Sequence, residues 1–177
     1  MNKKLLQEAI DNLELNDLYM HGSQSVLAPN FEPRSLEDDS RLHCSFLHQI
    51  DRSEVIEVGA ENGQTAKYFR VYVSLGARWQ LAEDNESDEG EEADGDESSI
   101  GDNTAAKIEA IFVAEYYIKN RVSQDALAEF ALNNASYHVW PFWREYLMSQ
   151  CTRMNLPKIP LPIVQLANNR HLKEEKE

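Results

Sequence analysis

Cysteine is nearly absent from this chain: Cys44 and Cys151 are the two thiols in 177 residues. One possible pair makes no disulfide framework at this size, so apolar packing has to supply the core, and a reducing cytoplasm is the expected setting. Long apolar runs are missing too. Nothing approaches the roughly 20 residues that span a bilayer. Met1-Asn2-Lys3-Lys4 looks like the head of a signal peptide, but Gln7, Glu8, Asp11 and Glu14 interrupt what would be its apolar segment, and no membrane insertion is expected. Basic charge is scarce, with 17 Lys and Arg against 31 Asp and Glu and a net charge of -14. No basic patch is available to neutralise phosphates, which argues against nucleic acid as a partner. Glycine and proline are few, at seven and six, and 42% of residues are hydrophobic, which suits one globular domain over residues 1–177.

The negative charge is concentrated. Residues 83–102 hold eleven carboxylates, and no Lys or Arg falls between Arg78 and Lys107; removing those eleven charges from -14 leaves -3 for the rest. A run of like charge is a solvated loop, so residues 83–104 are expected to be an acidic, disordered insertion. Residues 168–177 form a polar C-terminal tail.

The usual signatures of chemistry are also missing. His43 and His48 flank Cys44, yet on an extended chain the two imidazoles point to opposite faces, and the tetrahedral ligand set of zinc is not assembled. Cys151 lies on an apolar helical stripe, where a thiol acts as a small hydrophobe. No phosphate-cradling glycine loop, nucleophile elbow or His-Glu-x-x-His occurs. Carboxylate pairs abound only in the acidic run, which holds no fixed geometry for acid–base work and has no EF-hand spacing. The expectation is a protein that is not an enzyme and has no metal or cofactor.

What is present is a pattern of strands followed by helices. Leu5, Leu6, Ala9, Ile10 and Leu13 recur at helical spacing and predict a short amphipathic helix. Residues 15–27 read as a strand with a bend or bulge at Gly22-Ser23, ended by Ala28-Pro29. Residues 42–61 are extended, and Glu61-Asn62-Gly63-Gln64 signals a hairpin turn. Residues 66–81 and 106–119 alternate: Phe69, Val71, Val73, Leu75, Ala77 and Trp79 share one face, and Ile108, Ala110, Phe112, Ala114, Tyr116 and Ile118 another. Both faces of these strands carry large apolar or aromatic residues, which predicts cover on both sides. Ser123 then caps a helix with Leu127, Phe130 and Ala131 inward, ended by Asn133-Asn134. A further helix is predicted to start at Trp140-Pro141, with proline in its first position, and to end before Asn155-Leu156-Pro157. The class is α+β, with a four-stranded antiparallel sheet.

Residues 137–147, Tyr-His-Val-Trp-Pro-Phe-Trp-Arg-Glu-Tyr-Leu, hold five aromatics in a chain that is 9% aromatic. Trp140, Trp143 and Leu147 share one side, while Phe142 and Tyr146 point elsewhere, so either this helix is sandwiched or part of it is an interaction surface.

Three segments in order, Ile108-Glu-Ala-Ile-Phe-Val-Ala-Glu-Tyr116, Tyr137-His-Val-Trp-Pro-Phe-Trp-Arg-Glu-Tyr146 and Met154-Asn-Leu-Pro-Lys-Ile-Pro-Leu-Pro162, resemble the SecB-like protein-export chaperones. The resemblance covers residues 15–166. It implies a four-stranded antiparallel sheet followed by helices packed on one face, and an ATP-independent cytoplasmic holdase that assembles as a dimer of dimers. It implies further that unfolded clients lie in apolar grooves, either preproteins passed to SecA or an antitoxin in a toxin–antitoxin system. Two features depart from the family pattern: the acidic run stands where a short turn is expected, and the helix due after Ile163 looks short or absent. Trp140, Phe142, Trp143, Tyr146 and Leu147 of the helix, and Leu156, Ile159, Leu161 and Ile163 of the proline segment, are the expected peptide contacts, some serving an oligomer interface instead. Tyr72, Phe112 and Tyr116 are expected in the groove or the core. Two other functions fit the residues: an adaptor that docks a basic partner through its acidic loop, and a small-molecule-binding α+β protein.

Overall fold

The computed structural model describes residues 1–35, 42–59, 65–81 and 103–163. Its order is α1 (Lys3–Asn12), β1 (Leu13–Leu27), a 3-10 turn (Pro33–Ser35), β2 (Leu42–Gly59), β3 (Thr65–Leu81), β4 (Thr104–Ile118), α2 (Gln124–Asn133) and α3 (Ala135–Arg153). The four strands form one antiparallel sheet in the order β1-β4-β3-β2. This is the α+β architecture expected from the sequence. The Asn-Gly turn, nearly all of the acidic run, the helix sought after Ile163 and the polar tail lie outside the described residues.

The helices cover one face. Phe69, Val71, Val73, Leu75, Ala77 and Trp79 of β3 lie beside Ala106, Ile108, Ala110, Phe112, Ala114 and Tyr116 of β4, and this carpet is buried beneath Leu127 and Phe130 of α2 and Trp140, Trp143 and Leu147 of α3. Tyr116 meets Phe130 edge-on at 4.9 Å. α1 is tied to α2 by carboxylates at helix starts, where backbone N–H groups lack intrahelical partners. Glu8 accepts from Ser123 N at 2.7 Å, and Glu129 accepts from Asn2 N at 2.7 Å. Leu5, Leu6, Ala9 and Leu13 of the N-terminal stripe thereby join the chain's own core, while Ile10 stays exposed.

The opposite face is also covered, as the two-sided apolar pattern predicted, but by side chains of the sheet itself. No helix lies on it among the described residues; its own side chains fold over it. Arg52 lays its guanidinium 3.7 Å above the ring of Tyr72, Tyr72 Oη donates to Glu54 at 2.8 Å, and His21 meets the same ring edge-on at 5.6 Å. Arg70 pairs with Glu115 at 2.7 Å, and Asn16 Nδ2 donates to the same carboxylate at 2.8 Å. Long amphipathic side chains can blanket apolar surface while keeping their charged ends wet, and Val113 is fully buried on this face.

The predicted start of the last helix is also corrected. α3 begins at Ala135, six residues before Pro141, which lies inside it. Asn133-Asn134 does end α2, as expected, but without a loop after it: Asn134, outside helical geometry at φ -129°, donates its N–H to Phe130 O at 2.8 Å and offers its own carbonyl to Tyr137 N at 3.0 Å, so α3 follows at once. Proline in the second turn of α3 removes one N–H, the donor that would have met the Tyr137 carbonyl.

Candidate functional site

A helix with its side chains is about 10 Å wide, whereas four strands at their usual spacing are about 19 Å across. α3 packs on β4, β3 and β1, so it shields the middle of the sheet and leaves a margin on each side. On the β1 side, Leu15 and Met20 are exposed on the helix-covered face, and Phe142 of α3 is 50% exposed. Tyr146 of α3 reaches β1 with its hydroxyl 3.3 Å from Ser25 Oγ, and its ring is edge-on to Phe112 at 6.4 Å. On the β2 side, Phe46 and Val55 are exposed on the helix-covered face, and the segment after α3 lies along this flank.

That segment has a defined path. Asn155 adopts a left-handed conformation (φ 56°), and Leu156 N donates to Cys151 O at 2.9 Å, the 6→1 bond of a Schellman turn. Leu156 and Cys151 are both buried, the apolar contact that accompanies such turns. The chain then doubles back. Trp140 Nε1 donates to Pro162 O at 2.8 Å, while the Trp140 ring stacks on His48 of β2 at 5.3 Å and 18°. From Cys151 to Trp140 the helix rises about 16 Å, and from Leu156 to Pro162 a polyproline-like chain covers about 19 Å. The proline segment therefore runs antiparallel to α3 as an extended strut. Ile159 and Leu161 are half-buried against the core, and Ile163 is 79% exposed.

Around α3 burial sets the protonation of several groups. His48 is buried, its Nε2 is 3.0 Å from Ser136 Oγ, and burial lowers its pKa to about 4. Burial also lowers His138, whose Nδ1 is 2.9 Å from the Tyr116 hydroxyl, and raises Tyr116. Cys44 is pushed up to about 12, first by burial and then by Cys151 nearby, and Cys151 to about 11 by burial. Both thiols stay protonated at neutral pH and act as packing groups.

The edges themselves differ. β1 carries Glu14 and Asp17 and two register shifts, at Leu15/Asp17 and Met20/Gly22. Bulges and charges are standard protection for an exposed strand edge. β2 opens with Leu42-His43-Cys44-Ser45-Phe46-Leu47-His48-Gln49-Ile50, nine residues without Asp, Glu, Lys, Arg, Gly or Pro, in unbroken register with β3 until Ile50. Such an edge is a template for another extended chain.

Against this geometry the twelve expected contacts divide. Trp140, Trp143, Leu147, Leu156, Phe112 and Tyr116 are enclosed in the chain's own core, because α3 turns this stripe onto the sheet. Tyr72 is buried on the far face under Arg52. Phe142 and Ile163 are exposed, and Tyr146, Ile159 and Leu161 are half-buried at the margins. Phe46, Val55, Met20 and Tyr137 are exposed apolar residues that sequence reasoning did not select. The uncharged run around Phe46 was visible as composition, but its place at a sheet edge follows only from the strand order.

No protein-family model and no curated protein sequence matches the chain. A solved structure does match, and it is a SecB-like chaperone: the chain has the SecB-like α+β fold expected from its sequence. That structure is the Mycobacterium tuberculosis Rv1957 SecB-like chaperone in complex with a ChAD peptide from the Rv1956 HigA1 antitoxin. The likeness has a TM-score of 0.58 at 15% identity and spans 92% of this chain and 97% of that one. Among the described residues, no helix is long and apolar enough to cross a membrane.

Proposed function

We propose that this protein is a chaperone that holds extended, apolar segments of unfolded polypeptide along the β2 margin, without nucleotide and without chemistry. The observation that carries this reading is the unguarded first half of β2 beside Phe46, Val55 and the proline strut. An unfolded segment laid there would satisfy backbone donors and acceptors on the strand edge and set its side chains against the apolar margin. A folded protein offers neither, so mass action alone keeps the client unfolded. Assembly as a dimer of dimers would multiply weak sites into useful avidity. The peptide bound by the structural neighbour supports a polypeptide client, and its antitoxin origin favours a client of that kind over an export precursor handed to SecA.

The test is fluorescence anisotropy with a labelled, permanently unfolded protein such as reduced and carboxymethylated lactalbumin, in nucleotide-free buffer. Saturable binding is expected, along with suppressed aggregation of a denatured client at stoichiometric amounts. No binding to the unfolded probe, or equal binding to its native form, overturns the reading.

A further inference from the structure

The proline strut is held at both ends by α3. At the near end the Asn155 turn fixes its departure, with Leu156 packed beside Cys151. At the far end the hydrogen-bonded anchor is Trp140 Nε1 on Pro162 O at 2.8 Å, next to Leu161, which packs half-buried against the core. Between these points lie Pro157 and Pro160, with Pro162 at the anchor. Proline has no N–H, so this stretch can supply few backbone bonds of its own to set its position. Its stiffness makes the far anchor effective: a polyproline-like rod clamped at both ends keeps one line, whereas one clamped at one end swings.

Trp140 is suited to that anchoring role and not to client contact. It is 2% exposed and rests on His48, which is itself buried and bonded to Ser136. The indole thus stands on a column rooted in β2 and in the first turn of α3. Displacement of the strut breaks a part-buried hydrogen bond whose donor belongs to an almost wholly enclosed side chain, and an unpaired donor there is costly.

We propose that Trp140 is a positioning residue: its indole N–H fixes the proline strut as the wall of the β2 margin and so sets how tightly an unfolded segment is held there. This rests on the client-binding reading above. Without the bond, only the packing of Ile159 and Leu161 on the core would hold the strut, its end at Ile163 would swing, and each binding event would have to order it again.

The experiment is Trp140→Phe, which keeps an aromatic ring on His48 and removes the donor. Amide hydrogen exchange at Ile159, Leu161 and Ile163 is expected to accelerate at least tenfold, while α3 amides from Trp143 to Cys151 change less than twofold. Affinity for carboxymethylated lactalbumin is expected to fall about five- to tenfold. Unchanged exchange in the strut overturns the positioning role. Accelerated exchange with unchanged affinity overturns the strut as a wall of the site. If the wild-type chain binds no unfolded protein, the functional reading fails, and the exchange measurement still reports on the clasp by itself. Should the variant fold poorly, exchange of the Trp140 indole proton in the wild-type protein replaces it: strong protection is expected, and rapid exchange overturns the proposal.

Discussion

The two faces of this sheet are both covered, by different means. On one, helices lay Trp140, Trp143, Leu147 and Phe130 over a carpet of small and aromatic residues. On the other, Arg52, Tyr72, His21, Arg70 and Glu115 fold over Val113 without help from a second layer. The difference lies in what a substitution removes. A residue under α3 is part of close-packed contact between layers, where neighbours cannot collapse into a large void. A residue in the opposite blanket touches water on its outer side, and its neighbours can rearrange. Trp143→Ala is therefore expected to lower unfolding free energy by about 3–5 kcal/mol, and Tyr72→Leu by about 1 kcal/mol. Urea denaturation of both variants checks this. Equal losses would mean that the open face is a second core in its own right.

Titration offers a second way to separate the faces. His48 lies under the helices with a pKa lowered to about 4 by burial, and it faces Ser136 and the Trp140 ring. The unfolded chain binds this proton near pH 6.5 and the folded chain only near 4, so the unfolded state gains protons first as pH falls. Stability from His48 is complete above pH 6.5 and is lost as pH drops toward 4, by up to about 3 kcal/mol. His138, also lowered by burial, acts with the same sign. His48→Phe removes the larger part of this dependence. The observable is the slope of unfolding free energy between pH 6.5 and 4.5, which should flatten in the variant whatever its stability at pH 7.

Much of this was legible in the residues, and what was not has a physical cause. The alternation from Phe69 to Trp79 and from Ile108 to Ile118 marks both central strands and the face that the helices bury. Ser123 as a helix cap, and the bulge near Gly22, follow from local chemistry that needs no tertiary partner. The start of α3 was misread because Pro141 is a strong local signal for a first helical turn, whereas the true start depends on Asn134 closing α2 with its N–H and opening α3 with its carbonyl. Cover on both faces was legible, but not what supplies it on the open face: periodicity records that Tyr72 and Val113 are apolar and says nothing of Arg52 reaching across from the neighbouring strand. Local pattern likewise located the aromatic helix but not which of its rings stay outside. That is set by a helix narrower than its sheet, which leaves Phe142 in the open and encloses Trp143.

The finest contrast between the faces sets exposure equal and asks only about position. Phe46 on the helix-covered face is 39% exposed and Tyr117 on the open face is 40% exposed, each on the solvent side of its neighbours. Replacing either with Asp removes a similar amount of exposed apolar surface and adds the same charge, so each is expected to change stability by less than about 1 kcal/mol. Their effects on client binding should diverge. Phe46 sits in the uncharged run of β2, where an incoming segment would have to leave water together with any new carboxylate, and an unpaired charge is poorly tolerated there. Phe46→Asp is expected to weaken binding of the unfolded probe about tenfold, and Tyr117→Asp less than twofold. The reverse ranking would move the client to the open face, among the Arg and Tyr side chains that already cover one another.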